Sequence, residues 1–107
     1  MTLEQFRKAA IAEIKSNKRF IRKLISGVLN HQNFRIFIHG SILSKSNFHE
    51  NSDIDLAVVI NNSDLEIGPN ELLTDMLRDE FVSRPFDFGV LDVIVFNKEI
   101  PKKVEEL

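Results

Sequence analysis

The chain has 107 residues, a formal net charge of −2 and no cysteine. A chain of this size can bury roughly two-thirds of its unfolded surface, so we expect one domain over residues 1–107 that folds without cross-links. The lack of cysteine excludes disulfides, thiolate zinc sites and thiol catalysis. Oxygen atoms are therefore the expected ligands of any metal ion.

The charges are unevenly distributed along the chain. Residues 1–50 contain nine Lys or Arg against three Glu, whereas residues 51–107 contain five against thirteen Asp or Glu. A basic first half can attract an acidic partner, although a solvated helical face explains such a pattern more simply. The near-neutral total argues against a nucleic-acid binder.

The N-terminal segment lacks the basic start and the continuous apolar run of a signal peptide. No stretch of about 18 apolar residues occurs anywhere in the chain. We therefore expect a cytoplasmic protein that makes no membrane contact.

The first third of the chain predicts helix. Thr2 and Gln5 have the spacing of a capping box, and apolar residues recur at helical intervals up to Leu29. This helix either runs on or breaks near Ser16 and Asn17, and it ends at Asn30.

Two β-rich segments follow, at residues 34–39 and 54–60, the second of a type that is buried on both faces of a sheet. The polar residues 44–52 between them predict a long loop, which can cover a ligand.

Turn signals at residues 61–64 and 68–70 precede a predicted third helix that ends before Pro85. Its expected apolar face comprises Leu72, Leu73, Met76, Leu77 and Phe81. Residues 89–96 predict a third buried strand, and the charged tail after Pro101 predicts a final helical turn.

Two aspartates at the start of the second strand carry the strongest chemical signal. Asp53 and Asp55 are two residues apart, so in an extended chain their side chains share one face at a spacing of about 6.6 Å. Either one alone has a structural explanation, as an Asx turn or as the partner of a buried cation. Together with Asp92, a lone carboxylate in the third strand, they predict a site for one or two divalent cations. Mg²⁺ fits such oxygen ligands best, and Mn²⁺ fits similarly.

The end of the first strand has the features of a phosphate site. Gly40 lets the backbone approach a phosphate closely, and Ser41 adds a hydroxyl donor beside a backbone N–H. Lys45, in the covering loop, is a secondary candidate for a triphosphate contact, although a solvated Lys is the simpler interpretation.

Gly40 and Ser41, eleven intervening residues and then Asp53-Ile54-Asp55 resemble the signature of the DNA polymerase β-type nucleotidyltransferase superfamily. The chain is most similar to its minimal nucleotidyltransferases, from the first helix to the strand that carries Asp92. This resemblance implies an α/β fold in which helices pack on a short mixed sheet.

The resemblance also implies roles for individual residues. The catalytic, metal-binding residues would be Asp53, Asp55 and Asp92, with Asp92 as the candidate base for the acceptor hydroxyl. The nucleotide contacts would be Gly40, Ser41, Lys45 and Ser52. Asp87 is the alternative third carboxylate, although Pro85 and Gly89 around it favour a turn.

One departure from the family pattern concerns the triphosphate contact. Many minimal nucleotidyltransferases have an Arg-Gly pair shortly after the Gly-Ser, whereas this chain has Ile42-Leu43-Ser44-Lys45-Ser46. The usual cationic contact is missing there, and Lys45 is its candidate substitute.

The activity implied by the resemblance is Mg²⁺-dependent transfer of AMP from ATP to a hydroxyl of a partner protein, as in antitoxins that modify a HEPN ribonuclease toxin. One alternative is transfer to a small molecule, as in aminoglycoside nucleotidyltransferases, which usually carry a further helical domain. Another is a non-catalytic partner-binding module with a degenerate nucleotide pocket. A homo-oligomer is compatible with each of these functions.

Overall fold

The computed structural model describes residues 1–30, 32–44, 46–49 and 53–107. Within these ranges it contains three α-helices, one short 3-10 helix and a five-stranded mixed sheet. The predicted α/β fold with a short mixed sheet is therefore confirmed. None of the described helices has the length and apolar character needed to cross a bilayer.

The predicted N-terminal helix is divided at Asn17. Helix α1 spans Leu3–Ser16 and begins with the expected capping box of Thr2 and Gln5. Asn17 ends it, because its backbone N–H and its side-chain amide both donate to carbonyls of the last turn. Helix α2, Lys18–Leu29, starts directly afterwards and ends at Asn30, which has a positive φ of 28°.

The two predicted strands that frame the motif are present with the expected bounds. Strand β1 is Phe34–His39 and strand β2 is Ile54–Ile60, and they pair antiparallel. The 3-10 helix, Ser41–Leu43, follows β1 immediately. Most of β2 is buried on both faces, as its apolar sequence predicts.

The second half of the chain adds three strands and one helix. A two-residue strand β3, Gly68–Pro69, precedes helix α3, Glu71–Val82, and strand β4, Leu91–Asn97. Strand β4 pairs parallel to β2 and antiparallel to β3. The last strand, β5, is Val104–Glu106 and pairs with β1, so the order across the sheet is β3-β4-β2-β1-β5.

Two sequence predictions for this half need correction, and one short strand was not predicted. The tail forms β5 and not a helical turn, because the edge of β1 offers unpaired backbone groups that Val104–Glu106 fill. On α3, Leu72 and Met76 are exposed, and the buried face is formed by Thr74, Leu77 and Phe81. The β3 pairing was not predicted, since Gly and Pro are both rare inside strands.

The three helices cover one face of the sheet. The main core joins alternate residues of β1, β2 and β4 to apolar side chains of α1, α2 and α3. Helix α3 is also held to β4 by a buried hydrogen bond, in which the Val95 N–H donates to Thr74 Oγ1 at 2.9 Å. Since β4 and β2 are parallel, the β2–α3–β4 unit sets the position of Asp92 beside the start of β2.

The second face of the sheet carries a smaller apolar cluster, and the segment that connects β4 to β5 packs over it. Phe37, Ala57 and Val59 are buried on this side, in a cluster with Phe96 and Val104. The connection from β4 to β5, residues 98–103, leads from the Asn97 end of the sheet to the His39 end. Its Ile100 lies beside Arg35 and Val59, so this segment packs over the second face.

Candidate active site

Gly40 forms the turn at the end of β1, and the site needs a glycine there for two reasons. Its φ of +88° lies in the region that residues with a side chain rarely adopt. A Cβ atom at position 40 would also lie 2.8 Å from Oδ2 of Asp55. The bare backbone of Gly40 therefore makes the space in which the Asp55 carboxylate sits.

The turn after Gly40 is fastened to helix α1. Arg7 Nη1 donates a 2.7 Å hydrogen bond to the carbonyl oxygen of Ile42, in the 3-10 helix that Ser41 begins. Glu4 accepts two further hydrogen bonds from the same guanidinium, at 2.9 and 2.8 Å, and holds it in place. Helix α1 thereby positions the backbone that Gly40 and Ser41 would present to a phosphate.

A stacked pair of rings joins α1 to the polar loop between β1 and β2. The ring centroids of Phe6 and Phe48 are 6.2 Å apart, with an interplanar angle of 20°. Phe48 is almost completely buried, so its ring holds the described residues 46–49 against α1.

Asp53, Asp55 and Asp92, here called the carboxylate cluster, lie where β2 and β4 begin. Asp55 and Asp92 are register partners in the parallel ladder, so their side chains emerge side by side from neighbouring strands. Asp53 precedes β2 by one residue and is exposed. Its negative charge acts on Asp55, as the charge of Asp92 does.

The carboxyl group of Asp55 is perturbed by its surroundings. Its pKa is raised above the ordinary value, first by burial and then by the negative charges of Asp92 and Asp53. The charges of His39 and Arg78 act in the opposite direction. Because burial and two like charges all disfavour the ionised form, a bound cation would stabilise this group.

His39 is the antiparallel register partner of Asp55 and lies next to Gly40. Its Nδ1 atom is buried and has no hydrogen-bond partner in the described part of the chain. The sequence reasoning gave this residue no role.

Arg78 on α3 contacts the carboxylate cluster directly through its positively charged guanidinium. Its Nε donates to Oδ1 of Asp92 at 2.9 Å, and its Nη2 lies 3.5 Å from Oδ2. The Val93 N–H donates to the same Oδ1 at 3.0 Å. Arg78 is one helical turn beyond Thr74, so the bond between Thr74 and β4 helps to place its guanidinium.

The donor atoms of the cluster suit a hard divalent cation, since carboxylate oxygens are the ligands that Mg²⁺ and Mn²⁺ prefer. The raised pKa of Asp55 and the proximity of two further carboxylates fit such an ion. Among the described residues, however, no three acidic or imidazole side chains stand in an arrangement that could hold a metal ion. The Asp92 carboxylate forms an ion pair with Arg78 instead.

Three other candidates came from the sequence, namely Lys45, Ser52 and Asp87. Lys45 and Ser52 are outside the described residues. Asp87 lies against α1, where its backbone N–H donates to Glu13 Oε2 at 2.8 Å. The carboxylate that shares a register position with Asp55 is therefore Asp92 and not Asp87.

A cleft of about 300 Å³ adjoins the carboxylate cluster on the side of α3. Asp53, Asp92 and Arg78 form its polar part, and Val82, Val90 and Leu91 form its apolar wall. Val82 and Val90 are 59% and 50% exposed, so apolar surface is available to a ligand beside the carboxylates.

Sequence reasoning missed Arg7 and Arg78 as residues of the site. Arg7 precedes Ile42 by 35 residues, and Arg78 precedes Asp92 by 14. No local pattern marks either contact, because helix packing brings the partners together.

Comparison with known proteins agrees with this geometry. A family model described as Polymerase beta, Nucleotidyltransferase matches residues 22–106. Searches of curated proteins and of solved structures gave no significant match. The matched range contains β1, the glycine turn, β2 and β4, which together carry all three carboxylates of the cluster. The chain therefore belongs to the polymerase β-type nucleotidyltransferase family.

Proposed function

We propose that this nucleotidyltransferase uses a divalent cation to transfer AMP from ATP to a hydroxyl group of a partner protein. The observation that carries the proposal is the register pairing of Asp55 with Asp92, beside a glycine turn that leaves room for the Asp55 carboxylate. Asp53 adds a third carboxylate whose charge acts on Asp55.

The proposed cation ligands are Asp53 and Asp55, with Asp92 as the third. A divalent cation there would neutralise triphosphate charge and favour ionisation of the acceptor hydroxyl. Gly40 and Ser41 would hold the triphosphate with backbone N–H groups and the Ser41 hydroxyl. Lys45 and Ser52 stay as further candidate nucleotide contacts, on the resemblance alone.

In the proposed reaction the acceptor oxygen forms a bond to the α-phosphorus of ATP, and the bond to the β,γ-pyrophosphate breaks. Asp92 takes the proton of the acceptor hydroxyl. The carboxylate of Asp92 faces the cleft on the α3 side, and an acceptor in that cleft would bring its hydroxyl beside Asp92.

The exposed apolar wall of the cleft supports a protein as the acceptor. Val82 and Val90 would pack against apolar side chains of a partner, while the hydroxyl approaches the carboxylate cluster. A HEPN toxin is the partner class that the resemblance implies. Adenylyl specificity and Mg²⁺ rest on the same resemblance, with Mn²⁺ as the alternative ion.

A second candidate is a partner-binding module that does not catalyse transfer. The observation in its favour is the ion pair of Arg78 with Asp92, together with the lack of a ready-made three-ligand metal set in the described residues. The missing Arg-Gly pair after Ser41 points the same way. Transfer to a small molecule is less well supported, because the apolar residues Val82 and Val90 of the cleft are largely exposed.

The test is a titration of the purified protein with a non-hydrolysable ATP analogue, with and without Mg²⁺. We expect Mg²⁺-dependent binding that is lost in the Asp53→Asn/Asp55→Asn variant and kept in Asp64→Asn, an exposed carboxylate in the loop after β2. Transfer of label from α-³²P-ATP to a candidate partner then tests catalysis. Tight partner binding without label transfer, unchanged by the double substitution, would favour the non-catalytic module.

A further inference from the structure

We infer that Arg78 is a positioning residue that holds Asp92 in an ion pair and competes with the divalent cation for this carboxylate. The inference rests on the proposed function, since it concerns the same cation site. It adds a residue from α3 that neither the sequence motif nor the family match identifies as part of the site.

Arg78 and Asp92 form a two-pronged ion pair. The Arg78 guanidinium approaches both oxygens of Asp92, at 2.9 Å from Oδ1 and 3.5 Å from Oδ2. Oδ1 also accepts the Val93 N–H at 3.0 Å, so this oxygen already has two donors. A cation that shares Asp92 with its neighbours must therefore take the more weakly held Oδ2 or displace Arg78.

The charge of Arg78 also acts on the carboxylate next to Asp92. Asp55 is the register partner of Asp92, and the positive charge of Arg78 acts on it against the charges of Asp92 and Asp53. Arg78 thus supplies part of the compensation that a metal ion would provide. No complete metal-ligand set is assembled within the described ranges while Asp92 is held in this pair.

The ion pair of Arg78 with Asp92 is accessible to water. The side chains of Arg78 and Asp92 are 45% and 35% exposed, and ion pairs this accessible to water are weak. The pair is therefore strong enough to orient Asp92 and weak enough to be exchanged for a divalent cation. Loss of Arg78 would release Asp92 and remove a repulsive charge, and both effects favour cation binding.

The experiment measures Mn²⁺ binding to the nucleotide-free protein by calorimetry and by the electron paramagnetic resonance signal of free Mn²⁺. We expect Arg78→Gln to bind Mn²⁺ about two- to fivefold more tightly than the unsubstituted protein, which is the range that loss of a weak, exposed pair gives. Arg78→Lys should lie between the two, because it keeps the charge and loses the two-pronged contact.

Arg84→Gln is the matched control. Arg84 follows the C-terminal end of α3 and forms a similarly exposed ion pair with Glu80 at 3.6 Å, and neither residue lines the cleft beside the cluster. Its removal changes the net charge by the same amount. We expect it to leave Mn²⁺ affinity unchanged.

A double-mutant cycle with Asp92→Asn separates release of Asp92 from a general effect of charge. In the Asp92→Asn background, Arg78→Gln should give a clearly smaller gain in Mn²⁺ affinity, because only the repulsive charge of Arg78 is then removed. An equal gain in both backgrounds, a gain in Arg84→Gln of the same size, or no gain in Arg78→Gln would each overturn the inference.

Failure of this inference is distinguishable from failure of the proposed function. A protein that transfers the nucleotide label but shows no gain for Arg78→Gln retains the function and contradicts the role of Arg78. A protein that shows the gain and its dependence on Asp92, but neither binds ATP nor transfers label, supports the role of Arg78 and contradicts the function.

Discussion

A Cβ atom at position 40 would lie 2.8 Å from Oδ2 of Asp55, so Gly40 and the Asp55 carboxylate are fitted to each other without room for a methyl group. The contact joins the two parts of the sequence motif, the glycine turn and the aspartate pair. It also explains why they must be spaced so that β1 and β2 pair in the observed register, with Asp55 opposite His39.

Gly40→Ala should disturb both the turn and the carboxylate. The φ of +88° and the close contact with Asp55 together predict a loss of about 1–3 kcal/mol in the free energy of unfolding. Nucleotide binding should weaken at least tenfold, because Asp55 must move. Chemical denaturation and nucleotide titration measure the two effects.

Gly27→Ala is the control for this substitution. Gly27 lies within α2, and a Cβ atom there would meet nothing within 4 Å. Alanine favours helix by up to about 1 kcal/mol relative to glycine, so this variant should be more stable and should bind nucleotide normally. A loss of nucleotide binding in both variants would contradict the special role of Gly40.

Asp55→Asn should stabilise the cation-free protein at neutral pH while it abolishes cation-dependent nucleotide binding. The pKa of Asp55 is raised in the folded state, so the folded protein holds this proton more tightly than the unfolded chain does. The stability that this group contributes is therefore lost as the pH rises from its ordinary pKa of 3.8, which applies to the unfolded chain, through its raised pKa in the folded protein.

The measurement is the difference in unfolding free energy between this variant and the unsubstituted protein, from pH 3.5 to pH 7.5. We expect the difference to grow as the pH rises, and to stay modest because solvent screens a half-buried group. Asp64→Asn should show no such trend. A difference that shrinks with pH would contradict the raised pKa.

Arg7→Gln should weaken the attachment of the glycine turn to helix α1. It removes the hydrogen bond to the Ile42 carbonyl and the pair with Glu4, for an expected loss of about 1–3 kcal/mol in stability. Nucleotide affinity should fall, although Arg7 lies on α1 and belongs to no part of the sequence motif.

Arg35→Gln provides the comparison, because Arg35 forms an equally short two-pronged pair with Glu106 at the edge of the sheet. That pair is far more exposed, so its loss should cost less stability and leave nucleotide affinity unchanged. Equal effects of the two substitutions on nucleotide affinity would show that the contact with Ile42 has no special role.

Thr74→Val should weaken the attachment of α3 to β4. The Val95 N–H would lose its 2.9 Å acceptor in a buried position, which costs about 1–3 kcal/mol. Thr74→Ser keeps the hydroxyl and should retain the hydrogen bond. Slower amide exchange at Val95 in the Ser variant than in the Val variant, measured by NMR, checks the prediction.

Sequence reasoning predicted the parts of the fold whose signals are local. The bounds of β1 and β2 follow from β-rich runs that end at Gly40 and begin after a polar loop. The break at Asn17 was one of two predicted outcomes, and the asparagine side chain decides it through its bond to Glu13.

The errors and omissions arise where long-range packing decides the outcome. Val104–Glu106 forms a strand because β1 has a free edge, which the tail sequence alone does not reveal. Leu72 and Met76 fit a helical apolar stripe, but α3 turns Thr74 and Leu77 towards the sheet. Arg7 and Arg78 reach the site across tertiary contacts. In contrast, the proposed carboxylates were identifiable because aspartates within apolar strands carry a cost that needs a compensating partner.

Helix α1 lies outside residues 22–106, the range that the family model matches, yet its Arg7 and Phe6 contact Ile42 and Phe48, which both follow the glycine turn. The residues that the family model matches therefore do not include every element that holds the glycine turn in place. A protein trimmed to the recognisable region would keep every aspartate of the motif and lose the support of its phosphate turn. For small enzymes of this kind, boundaries drawn from sequence similarity alone can separate a reactive centre from the element that holds it in shape.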